Sequence, residues 1–509
     1  MQTLTTTRVV TVVWLLATVC AGRASTDSFH PQIPKTWDDA EISAVEIPLS
    51  HPQFSPKHMD ASFYYRMPVR PIYKSYPVYH PDKEPPGYLR WLTQQQPELI
   101  WDTSKLHTRE DWNRAGETVF EAPIAYGAIG MGLENSTELF VRSRSWYEHV
   151  RPPLSSDGVL PFVRYVVRQK GKVEIGMGAC ALCHSRVLPD GSVLKGGPGN
   201  FPFDAAFEDT VKIQIQAVAE NRALMEELYW KPWAPSELSS KLKSLDAKSL
   251  AALLSGRPHG VMTRHRLSLD TPLEIPDLIG VEHRAYLDHT GLQLHRNIGD
   301  LMRYAALNQG GDDFANFGGF VPMAHLLQGQ KVTPEIADRY SDEQLYALAL
   351  YLYSLRPPPN LHRPNEETHR GNRIFLREGC THCHPAPLYS NNKLTPAVGF
   401  RIPEEHLHRY DILPVVVGTD PAATMDTRRG TGYYRVPSLL GLWYRTPLGH
   451  SGWVSTLDEW FDPKRLQDDY VPSGFIPHHQ THSAVKGHEF GLRLSTEEKA
   501  ALIAFLKTL

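Results

Sequence analysis

Four of the five cysteines in this 509-residue chain fall in two copies of one pattern, Cys180-Ala-Leu-Cys183-His184 and Cys380-Thr-His-Cys383-His384. Two thiols three residues apart reach the two vinyl groups of one porphyrin, and the histidine that follows is carried directly onto the iron. The chemistry implied is covalent attachment of two haems of the c type, with His184 and His384 each supplying one axial nitrogen. A chance match to the pattern at this composition turns up roughly twice per thousand such chains, and two copies are correspondingly rarer. Other uses of cysteine fit less well. A redox dithiol does not need the adjacent histidine and is not expected twice. A zinc site sharing all four cysteines would leave about 200 residues between its halves, far outside ribbon spacing. Disulfides suit an exported protein, but rings closed over so few residues staple little.

One axial ligand apiece leaves the opposite face of each iron open. For the second haem His488 is the expected partner, in Lys486-Gly-His-Glu-Phe-Gly-Leu492. A lone histidine is more often structural than ligating, and His478, His479 and His482 stand nearby as on a polar surface loop. Three features favour His488: a haem that lacks a partner, flanking glycines that free the backbone, and attachment to the helix that must pack on that haem. His450, in Pro447-Leu-Gly-His-Ser-Gly452, and Met425 are the rivals. For the first haem no comparable partner stands out. Met323 precedes the first domain's last helix but reads equally well as core. The stretch from Tyr286 to Asn297, with His289, His295 and Arg296, has the polar and aromatic mixture of a distal pocket. If no side chain ligates there, that iron is open to O2 or peroxide.

The elements that must position these groups show an internal repeat. Ser341 to Leu355 matches Ser495 to Leu509, each opening on a serine N-cap with Gln344 or Glu498 three residues later, a capping box. Leu348/Leu502, Tyr351/Phe505, Leu352/Leu506 and Leu355/Leu509 form an apolar stripe at helical spacing. Upstream, Gly116-Glu-Thr-Val-Phe120 echoes Gly371-Asn-Arg-Ile-Phe375. The plan resembles a class I cytochrome c, whose N-terminal helix crosses its C-terminal helix closely, glycine permitting the approach.

The expected fold is therefore mainly α with much irregular loop: two class I cytochrome c-like haem domains, the first heavily inserted. Residues 106–358 form the first and 366–509 the second, joined by a proline-rich linker over 359–365. Residues 25–105, rich in Pro, Tyr and His, read as an irregular N-terminal extension wrapped over the core. Some 60 residues separate Phe120 from Cys180, and a further 150 or so separate His184 from the domain's last helix, which suggests a built pocket.

Residues 1–24 read as a signal peptide, with Arg8 before the apolar run Val9 to Val19 and small residues following in Cys20-Ala-Gly-Arg-Ala24. The run is too short to span a bilayer, which takes about 20 residues. Cleavage is expected near Gly22 or Ala24. Lipidation of Cys20 is the weaker alternative, because bulky Val19 stands where a small residue is wanted. A periplasmic or secreted protein without a membrane span follows. The formal net charge of -3 leaves no electrostatic footprint for nucleic acid.

Taken together, the two motifs resemble the di-haem cytochrome c peroxidases, the methylamine-utilisation di-haem enzyme and, most closely, the di-haem rubber oxygenases. The resemblance also rests on Gly430-Thr-Gly-Tyr-Tyr-Arg-Val-Pro-Ser-Leu439, Trp443-Tyr-Arg-Thr-Pro-Leu-Gly-His-Ser-Gly452, Thr456-Leu-Asp-Glu-Trp-Phe-Asp462 and Gly487-His-Glu-Phe-Gly491. In that group the position matching His488 carries the distal ligand of the C-terminal haem, as Met, Tyr or His. In the rubber oxygenases the N-terminal haem binds oxygen, which corresponds here to the haem on His184. The chain is shorter than those oxygenases, and polyisoprene cleavage does not carry over. The resemblance implies an oxidoreductase in which an N-terminal haem activates O2 or H2O2 and a six-coordinate C-terminal haem transfers electrons, served by an unidentified electron donor or organic substrate. A pure electron-transfer cytochrome with both irons six-coordinate, and a haem-based gas or redox sensor, are the competing classes. Asp420, Asp426, Asp458 and Glu459 are candidates for calcium as well as for helix caps and solvated surface.

Overall fold

The computed structural model describes residues 28–126, 140–203, 206, 257–262, 271–327, 330–477 and 480–509. The expected signal peptide over residues 1–24 with Cys20, and His478 and His479, lie outside the described residues.

A four-stranded antiparallel sheet corrects the mainly α expectation for the first half of the chain. It is built from β1 (Ser75–Tyr79), β2 (Ala125–Tyr126), β3 (Val159–Gln169) and β4 (Lys172–Met177), in the order β1-β3-β4-β2. The cause is local. Val159-Leu-Pro-Phe-Val-Arg-Tyr-Val-Val167 is dense in β-branched and aromatic residues, which fit a pleated, half-buried surface. Gln169 then pairs with Lys172 across Lys170-Gly171, and Gly171 takes φ +84°, a left-handed conformation that glycine adopts at no steric cost. Strand β1 comes from the N-terminal extension, so that segment adds a strand to the sheet as well as wrapping the core. Trp37 stacks on Tyr64 at 4.5 Å, both fully buried, and Tyr65 and the Thr36 amide bond to Asp342 at the start of the helix they cover.

Five helices frame the two motifs: α1 (Arg109–Glu121), α2 (Ile298–Asn308), α3 (Asp342–Ser354), α4 (Glu366–Arg377) and α5 (Thr496–Lys507). Both expected capping boxes form. The Ser341 hydroxyl accepts from the Gln344 amide at 3.1 Å while the Gln344 side chain accepts from the Ser341 amide at 2.8 Å. Ser495 and Glu498 repeat the exchange. Each box satisfies two of the orphan donors of a helix start.

The repeated glycines lie where two helix pairs cross. A Cβ on Gly116 of α1 would stand 2.0 Å from the Ala347 carbonyl oxygen of α3, and one on Gly371 of α4 would stand 1.9 Å from that of Ala501 on α5. In each pair the matching aromatic, Tyr351 or Phe505, also has its Cβ within 2.7 Å. Beside the crossings Phe120 packs on Tyr351 and Phe375 on Phe505, both with ring centres 5.4 Å apart. Among the described residues no helix is long and apolar enough to cross a membrane.

Candidate haem centres

Each motif sits at the foot of one helix crossing. Cys180–Cys183 is a single helical turn, and Ala179 and Ala181 are buried in the core cluster that also holds Phe120, Ala347 and Tyr351. Cys380 follows α4 after Gly379, which takes φ +73° to turn the chain, and it packs beside Phe375 and Phe505. All four cysteines are half-buried, and none is joined in a disulfide. Burial pushes the Cys380 thiol up to about 11 and raises that of Cys383. These are poor thiolates, unlike the depressed thiols of redox dithiols. Nor are the thiols gathered for zinc: among the described residues the one cluster of three potential metal-binding side chains is Glu46, His58 and Asp312.

The two motif histidines are held alike. His184 Nδ1 donates to the Pro276 carbonyl at 3.1 Å, and His384 Nδ1 donates to the Tyr389 carbonyl at 3.1 Å. A histidine that spends Nδ1–H on a backbone carbonyl is fixed in the tautomer that leaves the Nε2 lone pair for a metal. Burial holds His384 below the usual imidazole range, so the neutral, ligating form is the stable one.

His488 faces His384 with ring centres 6.5 Å apart and planes inclined by 56°. Two imidazoles on opposite sides of one metal, each nitrogen about 2 Å away, place their ring centres about 6–6.5 Å apart. The facing pair therefore fits an iron between them. His488 is held in this place by its neighbours. Its amide donates to the Val417 carbonyl at 2.7 Å, and the fully buried Arg465 donates to the His488 carbonyl at 2.8 Å. His488 itself takes φ +47°, and preceding Gly487, at φ +78°, is pressed so close that a Cβ would meet the Thr419 nitrogen at 2.2 Å. Trp460 and Phe490 pack against the ring, and Nδ1 is buried without a hydrogen-bond partner. Burial, followed by the nearby His384, pulls the His488 imidazole down to about 4.

The pair lines a cavity of about 510 Å³, together with Cys380, Cys383, Phe461 and Leu502. The rivals for His488 divide. His450 also lines this cavity, but its ring is stacked on Tyr434 at 4.5 Å and abuts Trp453, with Nε2 3.3 Å from the Tyr434 hydroxyl. Met425 packs in a separate small cluster with Leu273 and Tyr434.

The expectation of a distal pocket for the first haem between Tyr286 and Asn297 is not met. His289 lines the second cavity instead, its Nε2 donating to the Glu274 carbonyl at 2.9 Å. His295 spends both ring nitrogens, on the Arg284 carbonyl at 2.9 Å and the Tyr353 hydroxyl at 2.7 Å. Arg296 bridges Asp300 and Glu41. Histidine abounds in this chain, and periodicity does not say which motif a loop serves. Met323, on the short helix Pro322–Leu326, packs against the same core cluster as Ala179 and Ala181. Of the calcium candidates, Asp420 and Glu459 are engaged as a cap and a brace. Asp420 accepts from the Ala422 amide, Asp458 and Glu459 occupy the first turn of the helix Leu457–Trp460, and Glu459 also accepts from the Tyr470 hydroxyl.

Sequence reading missed the coupling between the two centres. The Pro276 residue whose carbonyl orients His184 also lines the cavity of His384. Arg186, two residues beyond His184, donates to the Thr446 carbonyl at 3.0 Å and to its hydroxyl at 2.9 Å, beside the cavity-lining Arg445 and Pro447. Backbone carbonyls carry no residue signature. Arg445 and Arg435, however, lie inside the two stretches that carry the family resemblance, and their charges in an aromatic setting are a usable sign.

No family model matches the chain, and no curated protein matches it. Among solved structures, hydrazine synthase of Kuenenia stuttgartiensis is similar over 56% of this chain and 85% of that one, at 15% identity and a TM-score of 0.29. A MauG-like protein associated with microbial copper homeostasis is similar over 57% of this chain and 88% of that one, at 18% identity and a TM-score of 0.30.

Proposed function

We propose that the chain is an exported di-haem c-type cytochrome acting as an oxidoreductase, with haem held covalently by Cys180/Cys183 and by Cys380/Cys383. The observation that carries this reading is the facing pair His384 and His488 across a cavity walled by both cysteines of the second motif. Haem so ligated supplies one-electron chemistry, and axial ligands tune its potential over about 0.8 V. The chain's own residues account for the ligand orientation: the Pro276 and Tyr389 carbonyls fix the two motif imidazoles, and Arg465 clamps the loop that presents His488. A six-coordinate second iron suits electron transfer. In this reading the first iron keeps an open face for O2 or H2O2, and an unidentified donor or organic substrate supplies the electrons.

A second reading has its own support. Met323 packs against the cluster that holds the first motif, so a pure electron-transfer cytochrome with both irons six-coordinate is favoured if that thioether ligates. The deciding experiment uses the matured full-length protein. Pyridine haemochrome absorbance and intact mass establish two haems; CO is then added to the reduced form. One CO bound per chain supports the oxidoreductase, and H2O2 or O2 turnover separates it from a sensor. No CO bound favours the electron carrier, and a mass without two haem increments removes both.

A further inference from the structure

Three guanidinium groups wall the second cavity: Arg284, Arg435 and Arg445. Each is half-buried, and each uses few of its five donors on protein. Arg284 donates to the Ile279 carbonyl, Arg435 to the Asp288 carbonyl, and Arg445 to the carbonyls of Ser438 and Leu440. Arg445 Nε is buried without a hydrogen-bond partner. Anions are scarce beside them. Asp277 stands 3.8 Å from Arg445 Nε, but already accepts from the Tyr444 hydroxyl and the Ile279 amide. Asp288 is taken by a close ion pair with Arg429. Glu274 is pushed up to about 7 by burial, so near neutrality it is a weak counter-charge.

Burial, then repulsion from Arg284 and Arg445, drives Arg435 down to about 9. A wall of under-compensated guanidinium groups is costly unless an anion completes it. Guanidinium is moreover suited to bidentate recognition of carboxylate.

We propose that Arg284, Arg435 and Arg445 seat the two propionate carboxylates of the haem attached at Cys380 and Cys383. This rests on the haem reading above. The ligand chemistry is a pair of carboxylates, and it has two sources, the porphyrin's own propionates or a soluble acid.

The test uses the matured full chain and its Arg435→Met, Arg445→Met and Arg435→Lys variants, with haems counted first by intact mass. A wild-type mass lacking the second haem would overturn the haem reading itself, whereas the remaining readouts address the arginines. Resonance Raman propionate-bending bands are expected to shift in all three variants. The midpoint potential of the low-spin haem is expected to fall in the Met variants, because a nearby cation favours the reduced iron, and to recover most of its value in Arg435→Lys. If a Met variant fails to mature, the Lys variant still carries the test through its Raman shift. Unchanged bands and potential in variants carrying both haems would overturn the proposal. So would a wild-type potential that moves on adding succinate or phosphate and stops moving in the variants, since the wall would then serve a soluble anion.

Discussion

At the α1–α3 and α4–α5 crossings the chain solves one steric problem twice, with glycine under a carbonyl and an aromatic pair alongside, yet the two crossings live in different surroundings. Around α3 the extension and α2 close in from every side, so residues Gln344 through Leu352 are all buried. Around α5 only Ala501 to Ile503, Phe505 and Leu506 are buried, and the remaining face meets solvent. The contact that positions a motif is therefore separable from what is built over it. In the second half a short loop bearing His488 is laid across the crossing, with its ring facing that of His384. In the first half a sheet and a wrapped extension take that place, over the motif that ends in His184. The shared part is a scaffold; what is built over it differs between the two motifs.

The largest expected break in this comparison is His488→Ala. On the proposed di-haem reading, removing the facing imidazole should convert one haem from low to high spin and raise CO binding by one per chain, read from the Soret and charge-transfer bands. Met323→Ala is the matched change on the first side. It should leave spin state and CO stoichiometry unaltered in the oxidoreductase reading, and raise CO binding by one if the thioether ligates.

Next come the crossings. Gly116→Ala and Gly371→Ala each drive a methyl into a helix carbonyl at 2.0 and 1.9 Å. Both should lower stability by about 2–4 kcal/mol, the range of severe overpacking, measured by denaturant unfolding. Similar costs at the two sites would sharpen the view that one scaffold is used twice. A cost confined to Gly371 would break it.

The helices, their capping boxes and the crossing glycines were legible because they rest on short-range signals: Ser341 with Gln344, Ser495 with Glu498, and glycine before a buried aromatic. That His488 would stand near His384 was expected for a different reason, its flanking glycines and its place just before the last helix, and the two rings do face each other. Much of the rest depends on tertiary placement. Strand β3 carried a β-branched signature inside what read as insertion, and the hairpin at Gly171 was a missed sign. His289 and Arg284, by contrast, belong in sequence to the first half yet wall the second cavity, and no local pattern reports that crossing-over. The buried Arg465, in Pro463-Lys-Arg-Leu466, reads as ordinary surface until its three carbonyl partners are seen.

Acid should separate the two halves by a smaller margin. Burial holds His450 down to about 3 and His289 down to about 4, and both line the second cavity. An imidazole ordinarily titrates near 6.5. Below that value the unfolded chain binds protons that the folded chain refuses, so stability falls as pH drops from about 6.5 toward 4. Glu274 acts in the opposite sense between about 7 and its ordinary value, because the folded state takes up the proton first. His450→Phe, a ring of similar outline against Trp453 and Tyr434, should flatten the acid slope of the unfolding midpoint without moving it at pH 8. An unaltered slope would assign the acid sensitivity elsewhere.

The smallest difference concerns ion pairs beside the crossings, one from α1 to Lys195 on the short strand Val193–Lys195 and one from α4 to α5. Lys195 bonds Glu117 of α1 at 2.7 Å and pairs closely with Glu121, with the lysine one-third exposed. Arg377 of α4 reaches Glu498 of α5 at 2.6 Å from a position more than half exposed. Exposed pairs are screened and lose side-chain entropy, whereas a partly covered lysine with two carboxylates keeps more of its attraction. Lys195→Met should therefore cost about 0.5–1 kcal/mol, and Arg377→Met should fall within the scatter of the measurement. Raising NaCl to about 0.5 M should shrink the first effect, because the Debye length falls to a few ångström. If Arg377→Met proved the costlier change, covering at the first crossing would not be what strengthens its edge.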